Sequence, residues 1–163
     1  MPHDTAVNGA MQEEPAGPPQ GLVKQTRFKA TFRWVRRVIH DSMDALEPYG
    51  LSAEEMGSIE IVLAEALNNV VEHAYPDDET GEVTLSLRLR NSGLMVEVRD
   101  QGRPMPQGRA PIGDHPMAED NDPMPEGGYG WYLIRELVRD LIYDRRDGEN
   151  ILIFRLVIGA PSA

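Results

Sequence analysis

Glu65, Asn69 and His73 stand at i, i+4 and i+8 in the run Glu65-Ala-Leu-Asn68-Asn69-Val-Val-Glu72-His73-Ala-Tyr75. On a helix of 3.6 residues per turn these side chains lie one above another along a single edge. The apolar residues of the same stretch, Met56, Ile59, Leu63, Ala66, Leu67, Val70 and Ala74, fill the adjacent sector. The polar edge therefore flanks a buried face, while Asn68 and Glu72 rotate toward solvent. A carboxylate there can orient a hydroxyl or water and take its proton. A carboxamide oxygen one turn away can hold a divalent cation. His73 is a helix-end residue rather than a metal ligand, since no second His or Cys stands nearby.

Two further groups could act with this edge. Asp100-Gln-Gly102-Arg-Pro104 closes a stretch in which Leu94, Val96 and Val98 share one strand face and Asp100 falls in their register. A carboxylate on a buried face needs donors from the protein or a ligand. An Asp before a glycine turn can accept from an exocyclic amine while the backbone approaches a flat ring. Gly127-Gly128-Tyr129-Gly130 opens a helix near Trp131, where backbone N–H groups and the helix dipole suit phosphates. Each group alone has a plainer reading: a solvated helix boundary, an Asx turn, a flexible loop end. Together, in this order, the plain readings require three coincidences.

The elements that must position these groups follow from periodicity. Leu22–Phe28 suits a short edge strand. A helix is expected from Thr31 to Leu46, with Val35, Ile39, Ser42, Met43 and Leu46 inward, ended by Pro48-Tyr-Gly50. Ser52-Ala-Glu-Glu55 has the form of a capping box, and the helix it opens should run to about Ala74. Past the turn-rich Pro76–Gly81 the period falls to two. Val83, Leu85, Leu87 and Leu89 alternate with polar residues, and Asn91-Ser-Gly93 turns the chain into the strand that ends at Asp100. Six prolines interrupt residues 102–127, a length that suits a lid or binding loop. Leu133, Ile134, Leu137, Val138 and Leu141 then recur at helical spacing. Strands Ile142–Arg146 and Asn150–Ile158, joined by the turn dipeptide Asp147-Gly148, close the chain. This order predicts an α+β fold: a two-layer sandwich of a mostly antiparallel sheet with three helices on one face. Trp34 and Trp131 read as core or surface anchors.

The 163 residues and 40% hydrophobic content suit one domain over residues 21–163, after a Pro- and Gly-rich lead-in at residues 1–20 expected to be disordered. A formal net charge of −11 argues against nucleic-acid or anionic-membrane partners. With no Cys there is no disulfide or thiolate metal site. The chain shows neither a signal peptide nor a membrane-spanning run, and a cytoplasmic location is expected.

In these three groups the chain resembles the GHKL (Bergerat-fold) ATP-binding superfamily, and within it the anti-sigma-factor serine kinases of the RsbW and SpoIIAB type. The resemblance covers roughly residues 22–158. Glu65-Ala-x-x-Asn69-x-x-x-His73-Ala-Tyr75 resembles the N-box of that group, Asp100-x-Gly102-x-Pro104 its adenine box, and Gly128-Tyr129-Gly130-Trp131-Tyr-Leu-Ile134 its second glycine box. The resemblance implies that Glu65 is the general base and that Asn69 coordinates Mg²⁺. It implies that Asp100 accepts from adenine, with Gly102 letting the backbone pass the base. His73, Gly127, Gly128, Tyr129 and Gly130 complete the implied nucleotide site. It also implies ATP and Mg²⁺ as cofactors, a STAS-type antagonist protein as substrate and a sigma factor as a second partner, with a homodimer left open. The chain departs from the group at Asn68, where many members have Thr or Ser, and at Pro104, where others have Gly. Ile151-Leu-Ile-Phe154 offers no hydroxyl where relatives carry an adenine-site Thr. A nucleotide-gated binding module without phosphotransfer is the alternative reading. A detached histidine-kinase catalytic domain is less attractive, because no phosphoacceptor-bearing helix pair precedes the fold. Arg33, Arg36 and Arg37 on the first helix are a candidate docking patch, or simply a solvated face.

Overall fold

The computed structural model describes residues 20–113 and 129–159. The expected lead-in therefore lies outside the described residues apart from Gln20, and so do residues 114–127 of the expected lid. Five strands form one sheet: β1 (Gly21–Lys29), β2 (Glu82–Arg90), β3 (Gly93–Asp100), β4 (Arg139–Arg146) and β5 (Glu149–Leu156). Their order is β1-β2-β3-β5-β4, and every pairing is antiparallel. Register aligns the apolar rows. Leu85 faces Val98 and Val98 faces Leu152, while Leu87 faces Val96 and Val96 faces Phe154. All of these are buried, each contributing about 1.5–3 kcal/mol of transfer free energy before entropy is subtracted. Asp147 and Gly148 both have positive φ (52° and 79°), as a two-residue primed turn between β4 and β5 requires.

Helix α1 (Phe32–Leu46) is capped by Thr31, whose hydroxyl accepts from the Trp34 N–H at 3.2 Å, and it buries Val35, Val38, Ile39, Ser42 and Leu46. It ends in a short 3₁₀ turn at Gly50, which is left-handed. Helix α2 (Ala53–Asn69) opens with both bonds of the capping box: the Glu55 N–H to Ser52 Oγ at 3.1 Å, and the Ser52 N–H to Glu55 Oε2 at 2.8 Å. Glu55 also accepts from the Gly159 N–H, and these backbone donors hold its carboxyl below the usual range.

Two helix ends differ from the sequence expectation. The second helix does not run on as α to Ala74, because Val70–Ala74 widens into a π turn. The third helix, α3 (Tyr129–Leu137), stops before Val138, and Leu141 belongs to β4. Val138 still closes the helix, its N–H donating to Ile134 O at 2.9 Å, and is buried. Asp140 at φ 56° and a bulge between Arg139 and Ile142 then turn the chain into the sheet. Residues 102–113, the first part of the expected lid, are bonded to the body. The Met105 N–H donates to Tyr143 Oη at 3.0 Å, and Arg135 donates to the Pro111 and Ala110 carbonyls at 2.7 and 3.0 Å.

Candidate functional site

Asp100 ends β3 on the buried face, 7% exposed, opposite Asn150 of β5. Its Oδ1 accepts from Asn150 Nδ2 at 2.8 Å and from the Gly102 N–H at 2.9 Å. Among the described residues no donor reaches Oδ2. Burial pushes the Asp100 carboxyl above the usual range, and the Asn150 and Gly102 donors pull it partly back. The sequence requires donors at this carboxylate, and Asn150 is one that it does not single out. One oxygen is fixed by the protein and the other, without a donor among the described residues, can accept a further hydrogen bond.

The turn after Asp100 is bound to the end of the π turn. Ala74 O accepts from the Arg103 N–H at 2.8 Å. Tyr75 Oη donates to Glu82 O at 2.9 Å and accepts from the Gln101 N–H at 2.8 Å, joining the starts of β2 and the turn. A Cβ at Gly102 would fall inside the Ala74 carbonyl, so glycine is required for this backbone approach. Among the described residues the neighbour that Gly102 lets its backbone approach is the helix end at Ala74. Tyr75, the last residue of the first motif, is a clamp that periodicity does not reveal.

At the other end, Glu65 and Asn69 are half-buried on consecutive turns of α2. A Cβ at Gly130 would overlap Glu65 Oε2, so the first turn of α3 comes directly against the Glu65 carboxylate. Tyr129 stacks on Tyr132, ring centroids 6.2 Å apart. Asn69 Nδ2 is the one buried side-chain polar atom without a partner among the described residues. Such an orphan carries a desolvation cost of about 1–3 kcal/mol. Asn69 Oδ1 is not among the buried unpartnered atoms and is an oxygen of the kind Mg²⁺ takes, so the chemistry of this residue fits the implied ion.

Other expected members stand apart. His73 lies within the π turn. Its side chain is 69% exposed, with Nε2 3.7 Å from Glu72. Gly127 and Gly128 lie outside the described residues. Arg33, Arg36 and Arg37 are exposed on α1. Arg36 lines a groove of about 890 Å³ between α1 and α2, which reaches the first motif only at Asn68.

A fold with two helices over an antiparallel sheet, a third helix opening against a carboxylate, and a buried Asp at a strand end defines a class. The family of histidine kinase-like ATPase domains matches residues 28–156, and the chain belongs to it. Membership implies an ATP-binding domain. The chain is 31% identical over 112 residues to a serine-protein kinase, RsbW, of Listeria innocua serovar 6a, covering 66% of this chain and 70% of that protein. The RsbW serine-protein kinase of Bacillus subtilis strain 168 is 28% identical over 112 residues, covering 68% and 70%. The crystal structure of the RsbU and RsbW domains of a Mycobacterium tuberculosis protein shares the fold. It has a TM-score of 0.55 and 17% identity, and the match covers 85% of this chain and 34% of that one. No helix among the described residues is long and apolar enough to cross a membrane.

Proposed function

We propose that this chain is an ATP-dependent serine/threonine protein kinase of the anti-sigma-factor type, which phosphorylates a small STAS-type antagonist and controls a sigma factor by exchanging partners. The observation that carries the reading is the unpartnered Asn69 carboxamide one helical turn from Glu65, whose carboxylate meets the first turn of α3. Similarity to the RsbW kinases supports the choice of protein substrate.

The roles follow from the chemistry of each group. ATP would supply the phosphoryl group; Mg²⁺, when bound, would offset the charge of its phosphates, and Asn69 would hold the ion through its amide oxygen. Asp100 accepts from the adenine amino group through Oδ2. Glu65 orients the substrate hydroxyl and takes its proton as the oxygen bonds to the γ-phosphorus and ADP departs. Positioning and charge neutralisation dominate phosphoryl transfer, so one carboxylate and one ion suffice. Tyr129 and Gly130 line the start of α3, where backbone N–H groups favour anions.

Incubation with γ-labelled ATP, Mg²⁺ and STAS-type antagonist proteins tests this. The expected result is acid-stable label on a serine or threonine of the partner. Tight ATP binding with no transfer to any antagonist would replace the kinase with a nucleotide-gated binding module.

A further inference from the structure

We infer that Asn150 is the positioning residue for nucleotide selection: its carboxamide ties the Asp100 turn to β4 and leaves only Oδ2 of Asp100 free to accept from a base.

The side chain is fully used. Nδ2 donates to Asp100 Oδ1 at 2.8 Å, to Arg103 O at 2.9 Å and to Gly102 O at 3.3 Å. Oδ1 accepts from Tyr143 Oη at 2.6 Å and from Arg145 Nη1 at 2.7 Å. Arginine only donates and the carboxylate only accepts, so the amide has one permitted orientation. Tyr143 Oη also receives the Met105 N–H, and Arg145 donates to Gly102 O at 2.9 Å. Asn150 thus sits at the centre of a network reaching from the β3 exit to residue 105, and it is 4% exposed.

The consequence is chemical. A protonated Asp100 could donate to a guanine carbonyl, whereas an ionised one with a single free oxygen selects an amine, as in adenine. The Asn150 donor favours the ionised form against the burial that opposes it. The other charges felt by this carboxyl are Arg145 on β4, which favours ionisation, and Glu149 on β5, which opposes it. The Tyr75 hydroxyl stands on the helix side and is itself pushed up by burial. Arg145 is exposed, and Asn150 is the largest of the influences that oppose burial, ahead of the Gly102 N–H.

The inference rests on Asp100 receiving adenine, and the experiment separates the two. ATP and GTP affinities are measured by calorimetry across a pH series for the full chain and for Asn150→Asp, Asn150→Ala and Asn150→Thr. Asn150→Asp keeps the shape and the Arg145 and Tyr143 bonds, but sets an acceptor against Asp100. The inference expects ATP binding to fall about 10- to 100-fold near neutral pH, with the preference over GTP narrowed. It also expects the acidic limb of binding to move to higher pH. Asn150→Ala should behave similarly but more mildly, and Asn150→Thr, which restores a donor, should recover most of the affinity. A purely structural role would lower stability without moving the pH limb or the ATP/GTP ratio. That result, or an unchanged affinity in Asn150→Asp and Asn150→Ala, overturns the positioning role while leaving Asp100 in place. Should Asn150→Asp fail to fold, the Ala and Thr pair separates the same two outcomes. Failure of the wild-type chain to bind ATP overturns the Asp100 reading and this inference with it.

Discussion

The two ends of the site are built on opposite principles. At the Asp100 end the polar groups are saturated: Asn150 bonds Asp100 and Tyr143, the Gly102 N–H bonds Asp100, Tyr75 bonds the Gln101 N–H and Glu82 O, and a single carboxylate oxygen is left over. At the Glu65 end the side chains have few partners. Asn69 has an orphan amide nitrogen, and Glu65 meets the start of α3 without a hydrogen bond among the described residues. A saturated network holds its shape without ligand and so suits recognition. An unsaturated one keeps its donors and acceptors for groups that arrive with the substrate. On the proposed function, recognition is built into the sheet and chemistry waits at the helix edge.

The sharpest break of that contrast is Glu65→Gln. It keeps volume and polarity but removes the basic carboxylate. Phosphotransfer to the partner should fall about 10²- to 10⁴-fold with ATP affinity almost unchanged, in single-turnover and calorimetric measurements. Parallel loss of binding would make Glu65 part of recognition and erase the division. Asp100→Asn acts at the other end and should invert the pattern. Its oxygen can keep the Asn150 and Gly102 donors while its NH₂ meets the adenine amine. Loss of an acceptor and the donor–donor conflict should cost on the order of 2–3 kcal/mol of ATP affinity. Calorimetry on a folded variant with wild-type affinity would remove Asp100 from the site.

The two glycines sharpen the comparison further, because what each faces differs in stiffness. A methyl at Gly102 meets the Ala74 backbone carbonyl, which cannot retreat. Gly102→Ala should lower stability by about 1–3 kcal/mol in denaturant titrations. A methyl at Gly130 meets the end of the Glu65 side chain, which can swing away. Gly130→Ala should leave stability within about 1 kcal/mol yet slow phosphotransfer by about tenfold, since a displaced base is a misplaced base. Equal destabilisation by both would mean that the Glu65 end is as rigid as the other.

What is visible in the sequence divides along the same line. The Glu65–Asn69 edge is local, set by helical period and by a capping box upstream on the same helix, and the structure has both. The β2–β3 alternation and the Asp147-Gly148 turn are likewise local. Asn150 cannot be found that way, because its meaning depends on standing across the β3–β5 register from Asp100. Ile151–Phe154 carries no hydroxyl, and the β5 side chain that bonds Asp100, Asn150, stands one residue before that stretch. The π turn leaves no mark in the periodicity because Val70 and Val71 satisfy either winding, both being buried. Helix α3 is shorter than its spacing predicts because Val138 and Leu141 keep helical spacing while serving the core from the helix end and from a strand. Local pattern carries the elements, and long-range register carries the polar network.

The smallest effect is a dependence of stability on pH, and its sign is set by Asp100. Burial places its carboxyl above the unfolded value. A group raised on folding stabilises fully below its unfolded pKa and loses that contribution as pH rises through its folded pKa. At neutral pH the ligand-free protein thus bears the cost of an ionised, buried Asp100. Glu55 is opposite in sign, held low by the Gly159 and Ser52 N–H groups, and its contribution is lost only on stronger acidification. Asp100→Asn removes the first term and keeps the second. Without nucleotide the variant should melt at or slightly above the wild-type temperature at neutral pH, and that advantage should shrink as the medium is acidified through the raised Asp100 value. With ATP and Mg²⁺ the order should reverse, because only the wild type gains binding free energy. Thermal melts in a pH series, with and without nucleotide, check both signs. A variant less stable than wild type in the ligand-free neutral sample would mean that the charge on Asp100 is needed to hold the turn, and the saturated end would then owe its order to that charge rather than to Asn150.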